Sequence, residues 1–355
     1  MRVSGLLKSL LTKRGCTEES DIERFLTPNY ERDTHHHSLL LNIERAVARI
    51  FSAMRGGERI AVYADFDCDG IPGAAVLHDF FKKIRYPHVE VYIPHRDREG
   101  YGIHIEALKQ LKERGVSLVI TVDVGTVAVE AIRAAKEMGL DVIVTDHHEP
   151  HGELPDCVAV INPKLGDYPF KDLCGSAVAW KLACALLEEG KKQRLENFTA
   201  IPDGWEKWLL DLVAIATIAD LVPLVGENRT LAHFGLTVLR KSPRHGIRAL
   251  CAELRLRQHV LTEDDIGFSF APRINAASRM GNPETAFQLL TADTAGEAEK
   301  LTRELEKLNT KRKGVVVYVP LFMYVCLLTP AAMHASAGAR QSAARSPVPS
   351  PKSIE

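Results

Sequence analysis

The sequence contains no Cys-x-x-Cys pair, and its seven cysteines (16, 68, 157, 174, 184, 251 and 326) are scattered. That spacing argues against a disulfide framework and predicts reduced thiols in a cytoplasmic protein. The longest apolar run, Val315–Leu328, holds Pro320 near its middle. It falls short of the about 20 residues a bilayer span needs, so no membrane is expected. Near the start, Leu6–Leu11 is interrupted by Lys8 and followed by Lys13-Arg14. This is too short and too broken for a signal peptide. Charge of either sign is also in balance, with a formal net charge of −1. A nucleic-acid partner would therefore have to be held by a local patch or by metals, not by the overall field. Finally, no Asp or Glu occurs between Gly314 and Ile354. A tail of Ala, Ser, Pro and Arg cannot bury enough surface to fold.

What is present is ordinary globular composition, 46% hydrophobic and 26% charged over 355 residues, with length enough for two domains. Residues 1–56 read as a helical, peripheral segment. Residues 57–173 alternate strand and helix: Ile60–Ala64, Val89–Ile93, Leu118–Val122, Val142–Thr145 and Val158–Ile161 as strands, with helices over 72–84, 104–114 and 126–138. This alternation predicts an α/β fold with a parallel, doubly wound sheet. Residues 174–294 have mostly helical periodicity. The stretch 295–313 is so highly charged that it reads as a solvated connecting helix. Residues 314–355 form the acid-poor tail, whose abrupt composition suggests a truncated or out-of-frame end.

Three of the strands end in chemistry. Ile60–Ala64 runs into Asp65-Phe66-Asp67-Cys68-Asp69-Gly70, Leu118–Val122 into Asp123-Val124-Gly125, and Val142–Thr145 into Asp146-His147-His148. In an open parallel sheet the carboxyl ends of neighbouring strands share one crevice, where ligands bind. Carboxylate oxygens with imidazole nitrogen suit Mn²⁺ or Mg²⁺ better than a thiolate-loving metal. Two such ions, about 3.5–4 Å apart, would clamp the attacking and leaving oxygens of a phosphoryl centre. Asp123, alone at a strand tip, is the natural shared ligand. Asp67 and Asp69, two residues apart, leave their strand toward the same side, so each could serve one ion.

These motifs resemble the first three motifs of the DHH phosphoesterase superfamily, and more closely its RecJ-type single-strand-specific 5′→3′ exonucleases. Further segments fit that branch: Arg96 with Glu99-Gly100-Tyr101-Gly102, Asn162-Pro163-Lys164, Cys174–Ala179, Ala216–Leu224 and Pro272–Met280. The resemblance covers roughly residues 5–313. It implies that Asp67, Asp69, Asp123, His147 and Asp220 ligate two ions, Mn²⁺ or Mg²⁺. It also implies that His148 contacts the scissile phosphate, with Asp123, His147 and His148 as the catalytic set. Arg96 and Arg279 would hold phosphates of the strand, with Ser176 and Asn275 lining the same groove. The implied activity is removal of 5′-mononucleotides from single-stranded DNA in repair and recombination, with single-strand-binding protein and a helicase as further partners. Family members continue past the charged helix into a second domain with a Gly-Gly-His motif, which is not in this sequence, so one wall of the groove is expected to be missing. Other DHH branches act on oligoribonucleotides, cyclic dinucleotides or pyrophosphate, and a truncated remnant without turnover is the non-enzymatic alternative.

Several residues have plainer readings. Asp65 is expected to hydrogen-bond or cap a helix, and Asp146 to orient His147 from outside the ligand set. Arg273 reads equally as a structural ion pair. Cys68 reads as a small core residue, and His35-His36-His37 as a solvated loop.

Overall fold

The computed structural model describes residues 4–328. Five strands form one sheet: β1 (Arg59–Ala64), β2 (Val89–Tyr92), β3 (Val116–Val122), β4 (Asp141–Thr145) and β5 (Ala159–Ile161). Their order is β2-β1-β3-β4-β5, and every pairing is parallel. β1 is thus flanked by β2 on one side and β3 on the other, which makes the β1/β3 boundary the topological switch point where such sheets bind ligands.

The inner strands alternate their side chains between two buried faces, while the edge strand β2 is only partly buried. Ile60, Val62, Leu118, Ile120 and Ile143 face one core with the helices Ile43–Gly56, Gly70–Lys83 and Gly175–Lys192. Ala61, Tyr63, Val119, Val142 and Val144 face the other, covered by Ile105–Glu113 and Val129–Glu137. Both faces being covered explains why the strands read as continuous apolar runs instead of alternating ones. The part after Cys174 is mostly helical, including Leu210–Ala219, Gly226–Leu239, Ala271–Arg279 and Pro283–Thr291.

Two helices differ from expectation. Ile43–Gly56 is not peripheral, because Ile43, Ala46, Val47, Ile50, Phe51 and Ala53 are buried in the main core. The charged segment is no solvated bridge: Ala298, Leu301, Thr302 and Leu305 are buried. These four recur at helical spacing (i, i+3, i+4, i+7) among the charges and make an apolar stripe on one face. That helix is described as Ala295–Leu328, past the expected end at Lys313. A lone glycine such as Gly314 costs a helix only about 1 kcal/mol. The chain divides into two compact units, Met1–Leu308 and Asn309–Glu355. The expected low-complexity stretch from 329 onward lies outside the described residues. Among the described residues, no helix is long and apolar enough to cross a membrane.

Candidate metal centre

Strand register brings the three motifs together. Ala64 pairs with Val122 and Val122 with Thr145. The next residues continue the ladder: the Asp65 amide donates to the Val122 carbonyl, the Asp123 amide to that of Thr145, and the Asp146 amide to that of Ile161. Asp65, Asp123 and Asp146 therefore sit side by side across three strand ends, all buried. Beyond this point the backbone turns sharply. Asp123 adopts φ +62°, a left-handed conformation that only a few residue types besides glycine tolerate.

The side chains converge around His147. Its Nε2 lies 3.2 Å from Asp123 Oδ1, 3.6 Å from Asp69 Oδ2 and 3.7 Å from Asp220 Oδ2. Asp220 arrives from the helical half, at the end of Leu210–Ala219. A second group, Asp65, Asp67 and Asp123, offers three carboxylate oxygens within 4.8 Å of one another, and the group Asp69, His147 and Asp220 offers two carboxylate oxygens and one imidazole nitrogen at the same spacing. Asp123 thus stands in contact with both groups. Asp123 Oδ1 and Asp65 Oδ1 are buried with no hydrogen-bond donor. Orphaned carboxylate oxygens beside a row of like charges are costly unless a cation neutralises them. The donor set, oxygen-rich with one imidazole, fits a hard divalent ion.

The same crowding shows in proton affinity. Burial, reinforced by Asp69, Asp67 and Asp65, pushes Asp123 well above the usual carboxylate range. Burial, with Asp67 as the strongest neighbour, raises Asp65 to about 7. Burial and then Asp69 raise Asp220 to about 7. Asp146 goes the other way. Burial alone would raise it, but hydrogen bonds from His148 and Thr126 outweigh that and bring it to about 2.

Neighbouring elements hold these groups in place. Gly175–Lys192 points its N-terminus at Asp69, whose two oxygens accept the Gly175 amide at 2.6 Å and the Ser176 amide at 2.7 Å. A helix N-terminus favours an anion placed in this way. Only glycine allows the approach, since a Cβ on Gly175 would lie 2.6 Å from the Asp123 Cβ. Asp67 Oδ1 accepts the amides of Asp69 and Gly70. Asn275 accepts the Cys68 amide at 2.9 Å and so ties the helix Ala271–Arg279 to the first motif. Asp146 Oδ1 accepts the His147 and His148 amides and the His148 Nδ1 proton, the last at 2.8 Å. Asn162 donates to Thr126 and to the His148 carbonyl.

Some expected roles move. Ser176 does not line an open groove: it is fully buried, and its hydroxyl donates to the Asp69 carbonyl. Asp65 caps nothing, while Asp67 accepts the amides at the helix start. Asp65 instead belongs to the carboxylate group, a placement that its i, i+2, i+4 spacing with Asp67 and Asp69 already allowed. Asp146 fixes the ring of His148, whereas His147 gives it only a backbone amide. Arg273 pairs with Glu306 at 2.6 Å. Arg96 is exposed and lies over the Phe66 ring within the first motif, 5.5 Å from its centroid. Arg279 is exposed at the end of its helix, and nearby Gly281 lies against His95, the neighbour of Arg96. Two residues go beyond the expected set. Tyr101, about half exposed, holds its hydroxyl 3.4 Å from the His148 ring. Lys164 pairs with Glu149 at 3.1 Å on the same rim.

Residues 59–217 match the DHH family, N-terminal domain. A solved structure, exonuclease RecJ bound to manganese, is 36% identical with a TM-score of 0.69, covering 78% of this chain and 67% of that one. The chain belongs to the DHH family. Among DHH relatives, the single-stranded-DNA-specific exonuclease RecJ of Bacillus subtilis is 41% identical over 318 residues, 89% of this chain and 38% of the relative. The RecJ of Escherichia coli is 36% identical, over 87% of this chain and 53% of its own length. RecJ from Thermus thermophilus in complex with Mn²⁺ is 32% identical with a TM-score of 0.70, covering 86% of this chain and 41% of that one. The chain thus spans about half or less of these full-length relatives. The parallel sheet and the mostly helical part that follows are the DHH architecture expected from the sequence.

Proposed function

We propose that this chain carries the catalytic centre of a two-metal phosphodiesterase that digests single-stranded DNA from its 5′ end and releases 5′-mononucleotides. The observation that carries this reading is the sharing of Asp123 between two carboxylate groups with orphaned oxygens. Asp69, Asp123, His147 and Asp220 would hold one ion, and Asp65, Asp67 and Asp123 the other, as Mn²⁺ or Mg²⁺. When bound, such ions polarise a phosphoryl oxygen and lower the pKa of water.

The remaining work falls to the protein. Arg96 and Arg279 lie on adjoining segments and hold strand phosphates, Arg96 at the 5′ end. His148 has its charged form favoured by the Asp146 hydrogen bond and meets the scissile phosphate, with Tyr101 beside it. Water attacks phosphorus, the bond to the 3′ oxygen breaks, and that oxygen leaves with a proton. The mononucleotide departs and the shortened strand keeps a 5′ phosphate. A cytoplasmic role in repair and recombination, with single-strand-binding protein and a helicase nearby, suits this chemistry.

The test is a digestion with Mn²⁺ of oligonucleotides labelled at either end. Immediate release of the 5′ label as mononucleotide is expected, with gradual shortening of 3′-labelled strands and no cleavage in chelator. Absence of mononucleotide would overturn the proposal. Preference for short RNA or a cyclic dinucleotide would replace its substrate class.

A further inference from the structure

The histidine run is a loop leading into a short turn, as expected, with His36 exposed and His35 and His37 only partly so. His36 and His37 stack at a centroid distance of 4.0 Å, and the Nε2 of each lies 3.1 Å from the same oxygen, Glu188 Oε2. One ligand atom from each of the three lies within 4.8 Å of the others. Around a tetrahedral zinc ion with bonds of about 2.0–2.1 Å, neighbouring ligand atoms stand about 3.3 Å apart. The two His–Glu188 separations, 3.1 Å each, are close to that spacing. We propose that His36, His37 and Glu188 form a second metal site, for a divalent transition ion of the zinc class, which staples this segment to the helix Gly175–Lys192.

Three features support it. The His36 ring is oriented from behind, with Ser38 placing its Oγ 2.8 Å and its backbone amide 3.3 Å from Nδ1, which turns Nε2 toward Glu188. The nearby cation Lys181 is engaged elsewhere, pairing with Glu227 at 2.7 Å and donating to the His35 carbonyl. All three ligands line a surface cleft of about 520 Å³, which gives an ion and its water a way in. Glu188 stands 12 residues past Ser176 on one helix, or about 18 Å, so this site and the carboxylate centre are separate. Two imidazoles with one carboxylate favour Zn²⁺ and Co²⁺ over Mg²⁺ and Mn²⁺, so the two sites select different ions.

Cobalt separates them spectroscopically, because four-coordinate Co²⁺ absorbs far more strongly in the visible than six-coordinate Co²⁺. Chelator-stripped protein carrying Asp123→Asn, which disables the carboxylate centre, is titrated with Co²⁺ and then with Zn²⁺. One equivalent with intense visible bands, bleached by Zn²⁺, is expected. Adding His37→Ala should abolish the bands and weaken Zn²⁺ by more than the about 10–100-fold that losing an outer partner costs. Glu188→Gln, which keeps shape and helix, should also weaken binding and carries the test if His37→Ala does not fold. Weak six-coordinate bands alone, or Zn²⁺ binding unchanged in Glu188→Gln, would overturn the proposal.

Discussion

Asp123 concentrates the chemistry and the strain of this chain. It is buried, left-handed in backbone and surrounded by four other carboxylates. Asn tolerates the same backbone and keeps the shape but removes the charge. Asp123→Asn is therefore expected to abolish hydrolysis while the metal-free protein melts no lower than wild type, because a repelling buried charge is gone. Activity within about tenfold of wild type, a loss of only ~1.4 kcal/mol of transition-state stabilisation, would contradict its bridging position. Asp65 and Asp220 give a pH dependence with a definite sign. Their folded-state values, about 7, lie above the usual 3.8, so the folded metal-free chain holds protons the unfolded chain has lost. Their contribution to stability is full below about 4 and is lost as pH rises through 7. Mn²⁺ must displace those protons. Its affinity should therefore climb as pH rises through about 7, as calorimetry would register. A flat profile would remove the proton competition.

At the scale of elements, the N-terminus of Gly175–Lys192 positions Asp69 and lies against Asp123. Gly175→Ala introduces a Cβ with no room, so it should lower the melting temperature and weaken Mn²⁺ together. A variant of normal stability and metal affinity would show that this contact is slack. Such a contact explains what the sequence could and could not reveal. The strands were legible because continuous Val, Ile and Ala runs have no other place than a sheet covered on both faces. The convergence of Asp67, Asp69, Asp123 and His147 followed from parallel topology. The burial of Ser176 was not legible, since nothing local distinguishes a hydroxyl that lines a groove from one that props a carboxylate. Nothing in the local sequence decides which acid of the first motif caps the following helix; packing gives the amides at the helix start to Asp67 and leaves Asp65 beside Asp123. The stripe Ala298, Leu301, Thr302 and Leu305 was hidden by the density of charge around it.

For the whole molecule, a net charge of −1 would leave capture of a strand, on the function proposed, to a few exposed arginines near the carboxylate centre. Arg279→Ala should weaken single-strand binding and reduce the slope of log affinity against log salt by about 0.7, the loss of one phosphate contact on a single strand. An unchanged slope would place Arg279 outside the path of the strand. The central claim is two ions sharing Asp123, and anomalous scattering from a crystal of the chain grown with Mn²⁺ tests it most directly. Two peaks about 3.5–4 Å apart, both within bonding distance of Asp123, are expected. A single peak, or two peaks with Asp123 bonded to neither, would contradict it.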